Sequence, residues 1–229
     1  MSKSRFAPLI DPDLTKTFFD KWSSKPIGVG RYFDFQKLQD AEIFVKKYPD
    51  ALGWVPFLQT REKFYPEVVQ AFCCMAECYP DKNVIISHIK GVKVEISLET
   101  ISKLLNIPLE GPAVFGDDWY DVLHLDRNIV LETIYKPNAT DLSCSNLQYT
   151  TQILANMVHN SFLPKNGTFN HIFHNDILLI YHMFTREQVN LPFIILKNMT
   201  SAANSNTKTS IVPYGMALCK IFRLLKIPL

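Results

Sequence analysis

The sequence predicts a mainly α-helical single domain that carries one small β-hairpin. Two observations carry this. The stretch from Phe64 to Pro108 reads helix, hairpin, helix, and on both sides of it apolar residues return at helical spacing. A third sets the scale: 229 residues, 47% hydrophobic and 20% charged, make a chain of average globular composition. Such a chain buries about 70% of its unfolded surface.

Taken in order, residues 1–30 read as a leader whose outer part is mobile. It has one short helix from Leu14 to Trp22 and a Ser/Lys/Pro/Gly loop from Ser23 to Gly30. The domain proper is expected over residues 31–229. Phe33, Phe35, Leu38, Ala41, Phe44 and Val45 suggest one helix or two short ones ended by Pro49. Leu52, Trp54, Val55, Phe57 and Leu58 form an apolar cluster expected to dock on the helix after Pro66.

Pro66 stands where a first-turn proline is tolerated, and Val68, Val69, Phe72, Cys73, Met75, Ala76 and Tyr79 carry the helix to Pro80. The runs Val84 to Ile89 and Val92, Val94, Ile96 flank Lys90-Gly91, a two-residue hairpin connection. Ser97 has N-cap chemistry with Glu99 in the first turn, and Leu98, Ile101, Leu104 and Leu105 make the buried stripe. Asn106 suits a left-handed cap before Ile107-Pro108.

Glu110 to Gly116 is a Gly/Pro loop. A third helical pattern then places Trp119, Val122, Leu123, Ile129 and Val130 on one broad face, with Asp117 and Asp118 in the first turn. A polar connection, Lys136 to Ser145, leads to a helix with Leu147, Leu154, Met157, Val158 and Phe162. Asn175 or Asp176 can cap the next helix, whose Ile177-Leu178-Leu179-Ile180 core is apolar nearly all round and therefore buried. Phe193 to Met199 is another buried helix opened by Pro192, Ser201 to Ser210 reads as a loop, and a last helix begins near Pro213. Leu229 ends the chain straight after Ile227-Pro228, which suggests truncation of a longer reading frame.

Charge and cysteines exclude several classes. Lys plus Arg is 24 against 22 for Asp plus Glu, too balanced for a dedicated duplex binder. Five cysteines, three on one predicted helix, argue for reduced thiols in an intracellular protein, nuclear or cytoplasmic, that is not secreted. No apolar run is long enough to span a membrane.

Candidate chemistry is sparse. Phe115-Gly116-Asp117-Asp118 resembles the aromatic-x-Asp-Asp metal site of reverse transcriptases, but the flanking strands that site needs are missing. Cys73, Cys74 and Cys78 lie at i, i+1 and i+5, which does not aim two thiolates at one metal. His171, His174 and Asp176, with His182 two turns on, are the one local ligand-like cluster; cap and loop chemistry explains them more simply. No nucleophile motif or phosphate loop occurs, so neither enzymatic activity, nor a cofactor, nor a small-molecule substrate is expected. Lys220, Arg223 and Lys226, beside Lys208, share one side of the last helix. They are the candidate nucleic-acid contact, although a helix C-terminus favours cations anyway.

Several stretches together resemble the putative plant transposon protein domain: the Trp54 region, the helix before Tyr79, Ile89-Lys90-Gly91-Val92-Lys93-Val94 leading to Leu104-Leu105-Asn106-Ile107-Pro108, Phe162-Leu163-Pro164-Lys165 and Val212-Pro213-Tyr214-Gly215. The last departs at Val212 from a Leu-Pro-Tyr-Gly signature. The hairpin feeding a helix that ends in Leu-x-Ile-Pro also resembles the plant mobile domain. The resemblance runs from about Arg31 onward and implies a mobile-element origin, gag-like or as an exapted chromatin-associated protein, with no catalytic residues to carry over. The expected role is a retroelement-derived interaction or assembly module with a protein partner or a second copy. Alternatives are a weak nucleic-acid binder using the C-terminal basic face, and a metal-dependent nuclease or transferase remnant on Asp117, Asp118 and the His171 cluster.

Overall fold

Ser97 is where strand becomes helix: its Oγ accepts a 3.2 Å bond from the Thr100 N–H, and Glu99 stands in the first turn. The computed structural model describes residues 8–167, 170–205, 207–227 and 229. The first seven residues of the leader, part of the stretch expected to be mobile, lie outside the described residues, as do Asn206 of the predicted loop and Pro228 beside the chain end.

Among the described residues the helices are α1 (Thr15–Thr17), α2 (Phe35–Asp40), α3 (Lys47–Ala51), α4 (Val55–Leu58), α5 (Pro66–Cys74), α6 (Leu98–Leu105), α7 (Trp119–Val122), α8 (Arg127–Ile134), α9 (Tyr149–Met157), α10 (His174–Thr185), α11 (Leu191–Asn204) and α12 (Gly215–Leu224). The strands are β1 (Glu77–Tyr79), β2 (Val84–Ile89) and β3 (Val92–Ser97), in the antiparallel order β1-β2-β3. The mainly helical class and the hairpin agree with the sequence reading. Lys90 and Gly91 both have positive φ, 50° and 76°, as a tight two-residue hairpin turn requires. Asn106 closes α6 at φ 56°.

Four local expectations are corrected. α5 stops at Cys74, five residues early, and Glu77–Tyr79 pairs with β2 as a third strand, Glu77 facing Ile86 and Tyr79 facing Val84. The Ser87 hydroxyl of β2 donates to the Phe72 carbonyl at 2.8 Å, so the sheet takes up the end of the helix. The pattern after Asp117 breaks into α7 and α8, because His124 turns left-handed and Asp126 caps α8 by accepting from the Asn128 N–H at 2.7 Å. Val122 and Ile129 consequently face solvent, 55% and 61% exposed. Pro49 does not end the segment before it but sits in the first turn of α3, where it lacks no needed N–H. α11 continues to Asn204 through the first part of the predicted loop. The last helix starts at Gly215, close to the expected start near Pro213, with Tyr214 left-handed at φ 66° before it.

α10 is the buried centre, with Ile177 to Ile180 sealed from solvent as expected. It is covered by α3, α8, α9 and the π-helical turn Val158–Phe162 that extends α9. α11 and α12 pack on α5 and α6, with the sheet against α5 and α11. The described part of the leader is tied down: Phe18 and Trp22 are buried, and Gly28 N–H donates to Val212 O at 2.8 Å while Val212 N–H returns a bond to Pro26 O. No helix among the described residues is long and apolar enough to cross a membrane.

Candidate functional site

α12 is amphipathic, burying Leu218, Cys219, Ile221 and Phe222 and turning Lys220 and Arg223 outward. The three candidate cations do not share one helix face as the sequence suggests, because α12 ends at Leu224 and Lys226 lies beyond it, left-handed at φ 59°, and they do not act alike. Arg223 is committed to Glu62, with Nη2 at 2.8 Å and Nε at 2.9 Å from the same carboxylate oxygen. Lys220 is half-buried, and burial, then the neighbouring Arg223 charge, holds its pKa below the ordinary lysine value. Lys226 and Lys208 are exposed. Glu62 lies 161 residues from Arg223, so nothing local in the sequence could reveal the pair.

Asp117, Asp118, His171, His174 and Asp176 sit around the start of α10 while His182 lies in its last turn, and among the described residues they form no ligand set. Asp117 and Asp118 are exposed. Their loop docks because Gly116 N–H donates to Asn175 Oδ1 at 2.9 Å and Trp119 Nε1 donates to the His174 carbonyl at 3.1 Å. Asp176 is the buried member. Its Oδ2 accepts the Phe173 N–H at 2.8 Å and is ion-paired to Lys165 Nζ, so this carboxylate caps α10 and pins the Pro164-Lys165 turn. His171 is exposed with its ring edge-on to Phe173. His182 is buried and donates from Nδ1 to the Glu187 carbonyl at 3.0 Å; burial lowers its pKa, opposed by that bond. Among the described residues no three of His, Cys, Asp and Glu converge on a point that could hold a metal ion.

The thiols are placed for packing. Burial pushes Cys73 up to about 12 and Cys219 up to about 11. Cys74, Cys78 and Cys144 move the same way for the same reason. At neutral pH these sulfurs are thiols, which makes them poor nucleophiles and poor ligands.

Two surface hollows have useful size. One of about 680 Å³ lies beside α8 and is lined by Leu131, Tyr135, Lys136, Asp141, Leu142 and Gln148. Its polar groups are engaged within the loop: Asp141 accepts from Ser143 N–H and Asn146 Nδ2, and Lys136 Nζ donates to Ser145 O. The other, about 570 Å³, lies between residues 31–43 and α9. Sequence reasoning assigned Phe33 and Leu38 of this region to the core and missed the hollow, because its two walls are more than a hundred residues apart in the chain.

The residues that carry the family resemblance meet in the core. Trp54 and Phe57 each pack on Phe162 with ring centroids 5.4 Å apart, and Phe57 reaches Tyr214 at 6.2 Å. A Cβ on Gly28 would come within 2.7 Å of Pro164, and one on Gly215 within 3.1 Å of Ile27, so the leader closes over the same motifs. A family model described as "Putative plant retrotransposon-related domain" matches residues 50–228. No curated protein matches the chain, and no solved structure does.

Proposed function

The chain belongs to the plant retrotransposon-related domain family, and we propose that this retroelement-derived domain works as a non-enzymatic interaction or assembly module. What supports the reading is the exposure of Val122 and Ile129 on two successive helices, within a set of large apolar side chains left in solvent that also includes Phe19, Phe44, Tyr149 and Phe173. Side chains of that size left in solvent on helix faces are suited to a contact with a second copy or a protein partner. The alternative of a C-terminal basic face is weakened by the commitment of Arg223 to Glu62.

Light scattering on the purified chain at rising concentration tests this. The mass should climb to a defined oligomer without any nucleic acid present, and Ile129→Glu should return it to monomer while leaving the helical circular dichroism unchanged. A monomer at every concentration, or an oligomer untouched by Ile129→Glu and Val122→Glu together, would remove the self-assembly reading.

A further inference from the structure

The hollow between α2 and α9 has walls of half-buried Leu38, Ile43 and Ile153. Tyr32 lines it at 40% exposure, and two more exposed rings neighbour its lining residues in the chain: Phe44, 63% exposed, follows Ile43, and Tyr149, 68% exposed, stands one turn before Gln152 and Ile153. Tyr149, Gln152, Ile153 and Asn156 recur at three, four and seven residues, so they share one face of α9. Cations are interleaved with the rings. The Arg61 guanidinium carbon lies 6.0 Å from the Tyr32 ring centroid, and that of Arg31 lies 5.6 Å from the Phe33 centroid. Arg31 Nη1 also reaches Asn156 Oδ1 at 3.4 Å. Asp34 is the single carboxylate among the lining residues, and it is used locally: it caps α2 by accepting from the Lys37 N–H and lies 3.7 Å from Lys37 Nζ. Among the lining residues Arg31 and Lys37 outnumber Asp34, and Arg61, beside the Tyr32 ring, adds a third exposed cation.

We propose that this groove binds a short run of single-stranded nucleic acid. Bases stack on Tyr32 and Tyr149, and phosphates lie against Arg31, Lys37 and Arg61. Stacking faces set beside cations match a ligand that alternates planar rings with charge at each unit. An apolar peptide would use the half-buried walls and gain nothing from three exposed cations. The site is separate from the assembly reading, since it involves neither Val122 nor Ile129, and it is separate from Lys220, Arg223 and Lys226.

Fluorescence anisotropy of a labelled twelve-nucleotide oligouridylate with the full chain tests it. With three phosphate contacts, affinity should fall about 20-fold between 50 and 200 mM salt. Tyr32→Ala and Tyr149→Ala should each weaken binding at least about fivefold, while Tyr32→Phe, which keeps the ring, should not. Lys37→Ala should flatten the slope of log affinity against log salt by about 0.7. All these side chains are exposed, so unchanged circular dichroism would separate lost binding from lost folding. No binding at 50 mM salt would overturn the proposal. So would binding that ignores Tyr32→Ala and Lys37→Ala yet is lost in Lys226→Ala, or capture of a labelled apolar helical peptide in place of the oligonucleotide.

Discussion

Tyr214 Oη donates a 2.7 Å hydrogen bond to the carbonyl oxygen of Phe162 and accepts one of 2.9 Å from Asn198 Nδ2. Two motifs fifty-two residues apart are therefore held together by one buried phenol, whose pKa burial drives far above the usual tyrosine value. The Phe162 carbonyl closes the π-helical turn, and Tyr214 stands immediately before α12. The phenol thus positions the last helix against the aromatic cluster of Trp54 and Phe57.

Tyr214→Phe keeps the ring contacts and removes both bonds. Leaving a buried amide and a carbonyl short of a partner costs about 1 to 3 kcal/mol. Thermal melting should fall by about 3 to 10 °C at this chain length. An unshifted midpoint would show that the hydroxyl contributes nothing net.

Asp176 combines a helix cap with a buried ion pair, its side chain 3% exposed against 30% for Lys165. Asp176→Ala should cost about 2 to 3 kcal/mol, short of the full penalty for a broken buried pair because Lys165 retains some access to water. Adding Lys165→Met should recover part of that loss, since it removes the cation left alone. If the double variant melts below Asp176→Ala, the lysine stabilises through packing rather than charge.

The pH dependence follows from His182. Its folded pKa lies below the unfolded value because burial disfavours the imidazolium. The unfolded chain then binds the proton more readily, so stability is full above about pH 6.5 and declines as pH falls toward the folded pKa. His159, lowered by burial and by Lys165, works in the same direction. Melting should drop between pH 7.5 and 5.5, and His182→Gln should flatten most of that slope. Parallel profiles for the two proteins would refute the assignment.

Of the candidate sites, the sequence located the charged residues but not their partners. Lys220 and Arg223 were legible as one helix face, whereas Lys226 falls past the end of α12, and the Glu62 that engages Arg223 was not legible. Asp176 was legible as a cap, whereas its pairing with Lys165 depends on the turn after Pro164 lying against the start of α10. The groove at Tyr32 had no sequence signal, because its two walls come from separate segments.

What the sequence by itself determined is what neighbouring residues settle among themselves: the Ser97 cap, the Asn106 stop, the Lys90-Gly91 turn, the buried run Ile177 to Ile180 and the order of motifs that marks the family. The tertiary structure alone decided where α5 ends and β1 begins, since Glu77 to Tyr79 is strand only because β2 offers it a hydrogen-bonding edge. It also decided that Val122 and Ile129 face solvent, because apolar spacing specifies a stripe but not whether another element arrives to cover it.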